Sequence, residues 1–267
     1  MPGPVERTRN PAAAVVFLHI PKTAGTAVQT ALIPLFPAEQ ICPEHFQVTI
    51  DPLSPEQLSR YRLFSGHFYW DQLDRLPLPQ TVFTFLREPR ARLLSLYYYF
   101  RSHRWSAIEA DAPAQLNRRK AKELPIREYL RRDDVSIRLQ VDNVITRRLL
   151  GRKYADSSAR LLVNDDQAVE LAVEHLKQAD AFGLAERSGE SVDLIRAATG
   201  LNLPRLERLN DLASLEKTDQ FEAVERQSID DETDAEIRRS VRLDNRVYEW
   251  ACGEFDKRLR ALAPDAL

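Results

Sequence analysis

The stretch Val15–Thr26, VVFLHIPKTAGT, constrains the fold more than any other part of the chain. Val15 to Leu18 are continuously apolar, the pattern of a short strand buried on both faces of a parallel sheet. The run then empties into Pro21, Lys22, Gly25 and two threonines. From Thr26 onward Val28, Ala31 and Leu32 fall at helical spacing, and Pro34 and Pro37 end that helix. A strand, a glycine-containing loop and a helix in this order present unpaired backbone N–H groups at the positive end of the helix, a ready anion site. Lys22 adds a point charge, Thr23 and Thr26 add hydroxyl donors, and Gly25 permits backbone conformations and close approach denied to other residues. The competing reading is structural: a tight turn with a capping threonine.

The design recurs at TVFTFLREPRARLLSLYYYF, where Thr81–Leu86 reads as a strand, Arg87-Glu88-Pro89 as a turn and the rest as a helix to about His103. Leu63–His67 reads as another strand, and Pro55–Arg60 as the start of a short helix. Further on the pattern is mainly helical, near 125–132, 135–150 (stopped by Gly151), 166–178 and 190–199 (closed by Gly200), with two helices over 231–262. Ala181–Leu184 is a last short strand. The expected fold is α/β: a P-loop-NTPase-like small parallel sheet flanked by helices, with a mainly helical C-terminal half. Residues 1–12, with three prolines, read as a mobile lead and 13–267 as a single domain.

At 43% hydrophobic and 29% charged the 267 residues can bury a full core. A formal charge of −2 argues against a nucleic-acid partner, and Arg118-Arg119-Lys120 reads as a solvated helix face. No apolar run approaches the roughly 20 residues that cross a bilayer, and the first residues lack the apolar centre of a signal peptide, so the expected location is cytoplasmic with no membrane partner. Cys42 and Cys252 make neither a disulfide framework nor a metal spacing. Oligomeric state is not legible in the pattern.

PKTAGT after a strand is not a Walker A loop, in which the lysine follows the glycines and adjoins a magnesium-binding hydroxyl; here Lys22 precedes Gly25. This order resembles the 5′-phosphosulfate loop of sulfotransferases that use 3′-phosphoadenosine 5′-phosphosulfate (PAPS). Arg87, with Ser95 eight residues later, is similar to the pair that holds the donor's 3′-phosphate in that family. A guanidinium fork at a strand end with a hydroxyl from the next helix also suits a dianionic phosphate on chemical grounds alone. By themselves Arg87 fits an ion pair with Glu88 and Ser95 an ordinary helix residue. SGHFYW, between the two phosphate elements, is similar to the Gly-His segment of heparan sulfate 2-O-sulfotransferase-like proteins, as are, more weakly, DNVITRRLLG, FGLAERSGESVDLI and LDNRVYEWACGEF to landmarks of bacterial members.

The resemblance implies PAPS as donor with no metal, and donor binding by Lys22, Thr23, Ala24, Gly25, Thr26, Ala27, Arg87 and Ser95. It gives Lys22 the leaving oxygens and His67 the acceptor's proton. The acceptor would be a hydroxyl of a carbohydrate or small metabolite. No Arg-Lys-Gly element of the cytosolic small-molecule enzymes is present, which leaves Arg205, Arg208 and Lys217 as loose candidates for the C-terminal cationic contribution. Trp70, Tyr97, Tyr98, Tyr99 and Trp105 fit an aromatic acceptor pocket or simple packing, and Arg101 and Arg104 an anionic acceptor or an exposed face. His19 sits beside the loop and is placed to shape it. The alternatives are a P-loop-type nucleotide phosphotransferase or hydrolase, and an inactive nucleotide-binding module.

Overall fold

The computed structural model describes residues 13–108, 115–206 and 219–262. Strand β1 (Ala14–Leu18) is buried at every residue. Its alternation splits the core: Val15 and Phe17 pack with Val28 and Leu32, while Val16 packs with Phe64 and Phe68, and Leu18 with Ile145 and Leu149. Both faces are therefore covered, as the unbroken apolar run requires.

Three strands join it in parallel: β2 (Leu63–Gly66), β3 (Gln80–Leu86) and β4 (Ala181–Leu184), in the order β2-β1-β3-β4. Leu18 stands opposite both Gly66 and Thr84, and Leu86 opposite Leu184, so the strands run out at one edge of the sheet. The chain after each strand collects there, the place where ligands bind in open α/β sheets.

Helix α1 (Gly25–Leu32) follows β1. The short helices α2 (Gln47–Ile50) and α3 (Pro55–Leu58) lie before β2, the latter started by a Ser54–Gln57 capping box with Pro55 in its first turn. Helix α4 (Pro89–Arg101) follows β3 and is capped by Glu88, whose carboxylate accepts the N–H groups of Arg90 at 2.9 Å and Ala91 at 2.6 Å. Glu88 is thereby withdrawn from the alternative ion pair with Arg87.

Helices α5 (Leu116–Glu123), α6 (Ile126–Leu130) and α7 (Val135–Val141) gather around Tyr97, Tyr129 and Ile137. The single helix expected over 135–150 is two, α7 and α8 (Val144–Leu150), because Asn143 takes a left-handed φ of 48°. Asparagine tolerates that conformation better than most residues. Helices α9 (Asp165–Gln178), α10 (Ser188–Thr199), α11 (Asp231–Ser240) and α12 (Arg242–Leu262) complete the described residues.

The break at Asn143 is tied to α12 by two reciprocal caps. The Asn143 Oδ1 accepts the N–H of Leu243 at 2.8 Å, while the buried carboxylate of Asp244 accepts the N–H groups of Ile145 at 3.1 Å and Thr146 at 2.8 Å and the Thr146 hydroxyl at 2.8 Å. Each helix start is satisfied by a side chain of the other's sequence, and this fixes the direction of α8. Both cysteines are free, and no helix of the described residues is long and apolar enough to cross a membrane. The expected mobile lead, 1–12, lies outside the described residues.

Candidate active site

The loop after β1 is shaped from beneath by His19. A Cβ built on Gly25 would lie 1.6 Å from His19 Nε2, so only glycine lets α1 settle onto the imidazole. The left-handed residues of the loop are not Gly25 but Lys22, at φ 68°, and Ala24, at φ 69°. Two non-glycine residues in that region store backbone strain, which is a common property of ligand-clamping loops. No side chain caps α1, leaving its first N–H groups for an outside acceptor.

One cleft of about 1090 Å³ spans the sheet edge and is lined by Lys22, Ala24, Gly25, Thr26, Ala27, Arg87, Ser95 and His67. Of the sequence-derived site residues only Thr23 is turned away: it is fully buried, and its hydroxyl donates to the Ile20 carbonyl at 2.8 Å. It braces the loop, and its hydroxyl is already used.

Lys22 lies with Nζ 4.1 Å from the centre of the Tyr99 ring. Burial, with the Arg87 charge second, pulls its pKa down to about 8. Arg87 donates to the Lys22 carbonyl at 3.3 Å, and its carboxylate neighbour is Glu186 at 3.9 Å, not Glu88. Glu186 also accepts from the Tyr248 hydroxyl at 2.9 Å and the Glu88 N–H at 3.0 Å.

His67 follows β2 and is held at both ends. Its backbone N–H donates to His45 at 2.7 Å, and its Nδ1 lies 2.8 Å from the His19 carbonyl. A carbonyl only accepts, so Nδ1 carries the proton and Nε2 keeps a lone pair. Burial, followed by the Arg148 charge, pushes the His67 pKa down to about 4 despite the opposing hydrogen bond to His19. The imidazole is therefore neutral at pH 7, the state a proton acceptor needs. The His19 ring lies 4.2 Å from it and is itself kept neutral, mainly by burial.

Arg148, on α8, escaped the sequence reading. It is 8% exposed, lines the cleft, donates to the His67 carbonyl at 2.8 Å and covers the Tyr69 ring at 4.2 Å. In the sequence it is one arginine of a helical Arg-Arg pair; only the Asn143 break and the Asp244 cap aim it at His67.

The other candidates disperse. His103 bonds the Tyr99 carbonyl, and His175 stacks on Trp70 and bonds the Leu149 carbonyl. Tyr98 and Tyr99 line the cleft, whereas Tyr97 is buried in the helical cluster and Trp105 is exposed. Arg101 donates to the carbonyls of Ala121 and Lys122, and Arg104 to that of Phe221, so both serve the fold. Arg205 pairs with Asp193, while Arg208 and Lys217 lie outside the described residues.

Residues 7–130 match the family model described as the sulfotransferase family. Over these residues the chain is similar to the sulfotransferase family. The sulfotransferase-family match covers the Lys22 loop, His67, Arg87 and Ser95, and stops before Arg148 and Glu186, which α8 and the chain after β4 bring to the same cleft. No curated protein matches the chain.

Proposed function

We propose that the chain moves a sulfuryl group from PAPS to a hydroxyl of a carbohydrate or small metabolite, with 13–267 working as one unit. The observation that carries this reading is the convergence on one cleft of Lys22 at the start of α1, of Arg87 with Ser95, and of a neutral, tautomer-fixed histidine. The residues present fit the donor: uncapped N–H groups of α1 and Lys22 suit a 5′-phosphosulfate, and Arg87 with Ser95 suits a 3′-phosphate. PAPS would supply the sulfuryl group and depart as 3′-phosphoadenosine 5′-phosphate (PAP).

Nε2 of His67 takes the acceptor's proton as the acceptor oxygen bonds to sulfur and the bond from sulfur to the 5′-phosphate oxygen breaks, its electron pair staying on the phosphate. Lys22 and the N-terminus of α1 offset the negative charge that grows on that phosphate, with no metal in the scheme. Burial and the Arg148 charge depress the basicity of His67 in the free protein, and an anionic group bound beside Arg148 would raise it.

The test is calorimetric titration with PAP and AMP. PAP is expected to bind at least about tenfold more tightly, since a charge-assisted hydrogen bond contributes about 1.5–3 kcal/mol. His67→Ala should retain PAP affinity while turnover with labelled PAPS falls about 10²–10⁴-fold. Equal affinity for PAP and AMP would overturn the donor assignment.

A further inference from the structure

Arg148 is a buried cation without an acidic partner. Several other arginines are neutralised: Arg147, its neighbour in sequence, pairs with Asp142, Arg90 with Asp234 and Arg187 with Asp256, whereas the fully buried Arg92 also has no ion pair but does not line the cleft. Among the described residues no carboxylate lies within ion-pair distance of Arg148, and the group that covers its plane is the Tyr69 ring. One N–H is spent on the His67 carbonyl; none of the other guanidinium nitrogens is sealed away from the cleft unpartnered. Burying a guanidinium without a counter-ion is costly, and a site that does so is prepared for an anion from outside. That anion is not one of the donor's phosphates in the proposed arrangement, since Lys22, α1, Arg87 and Ser95 hold those.

The wall beside Arg148 is apolar. Phe46, 56% exposed, has its ring 5.6 Å from that of His67, and Val48 is 74% exposed; both line the cleft with Leu139. Two open apolar side chains beside a proton acceptor want a hydrocarbon surface against them, not the hydroxyl-covered face of a sugar.

We infer that the acceptor is a hydroxy acid on an apolar skeleton: its hydroxyl meets His67 Nε2, its carboxylate seats on Arg148, and its hydrocarbon part covers Phe46 and Val48. This rests on the sulfuryl-transfer reading and selects the small-metabolite branch of it. Because Arg148 bonds the carbonyl of the residue that carries the imidazole, the carboxylate seat and the proton acceptor share one side of the cleft.

The probes are 3-phenyllactate, its neutral amide and glycerate, titrated into the full chain by calorimetry with and without saturating PAP. The expected order is phenyllactate tightest, with the amide weaker by at least about tenfold for loss of the charge-assisted bond and glycerate weaker for loss of the apolar contact. Arg148→Gln should bring phenyllactate down to the amide's affinity, and Arg148→Lys should restore part of the difference. PAP affinity and melting temperature, measured on each variant, report whether the fold survives. Equal binding of acid and amide to the wild-type chain overturns the assignment of Arg148, and glycerate binding as tightly as phenyllactate overturns the apolar wall. The heat of PAP binding scores the donor reading separately, so a chain that binds PAP but does not distinguish acid from amide refutes the acceptor inference alone.

Discussion

A single methyl group at Gly25 tests how the anion loop is supported. In Gly25→Ala the new carbon would lie 1.6 Å from Nε2 and 1.9 Å from Cδ2 of His19, where ordinary contacts need about 3.5 Å. Loop and imidazole must therefore part by about 2 Å. His19 has little room to yield, with its ring stacked on Phe17 at 5.4 Å and against His67 at 4.2 Å. The displacement falls on the loop, whose Lys22 and Ala24 already hold left-handed conformations. Overpacking of this kind costs about 1–3 kcal/mol, which lowers the melting temperature by about 2–4 °C per kcal/mol for a chain of this size. PAP affinity should drop tenfold or more, because misplacement by about 1 Å already costs ligating and reacting groups heavily. Thermal unfolding and calorimetry on Gly25→Ala, His19→Ala and the double variant form a cycle, in which removing the imidazole should relieve much of the methyl's effect. If Gly25→Ala melts and binds PAP like the wild type, or if its losses are undiminished in the double variant, His19 does not floor the loop.

His67 stays neutral in the fold down to about pH 4, whereas in the unfolded chain its imidazole protonates near 6.5. The unfolded state takes up the extra proton between these values, so stability present above about pH 6.5 should fall toward pH 4, by on the order of 3 kcal/mol from His67, with His19 adding in the same direction. Denaturant midpoints at pH 7 and 4.5 check this, and His67→Gln should flatten the slope. Lys22 loses its proton near pH 8, so PAP affinity should weaken as the pH rises from 8 toward 9, and Lys22→Arg should hold it level; calorimetry at the two pH values decides. Asn143→Ala removes both the cap on α12 and a residue tolerant of φ 48° and should cost about 2 kcal/mol by chemical denaturation, with Asn143→Gly costing less because it keeps the conformation.

Local order made the Lys22 side of the cleft readable from residues. An unbroken apolar run meant a strand covered on both faces, and the Pro-Lys-Gly-Thr loop behind it meant N–H groups in search of an acceptor. Arg87 and Ser95, paired through the family resemblance, do line one cleft. What stayed hidden depends on the turn of the loop itself and on contacts far apart in sequence. Thr23 looks like any loop hydroxyl until the Ile20 carbonyl turns it inward. Arg148 is indistinguishable from Arg147 in a helical run; Asp244, about a hundred residues later, and a left-handed Asn143 set its direction. The alternative reading of Arg87 as an ion pair with Glu88 gave way to Glu186, since Glu88 is the cap for α4.

The strand order sets the two sides of the cleft moving on different clocks. β1, which carries the Lys22 loop, is bonded along both flanks, by β2 and β3, whereas β2, which carries His67, has β1 on one flank and only isolated bridges, Ile41 to Leu63 and Phe46 to His67, on the other. Amides between a pair of neighbouring strands exchange with solvent through larger openings than those at a thinly covered flank. Leu63–Gly66 should thus trade hydrogen for deuterium ahead of Ala14–Leu18. The histidine side can loosen and re-form while the Lys22 loop stays seated.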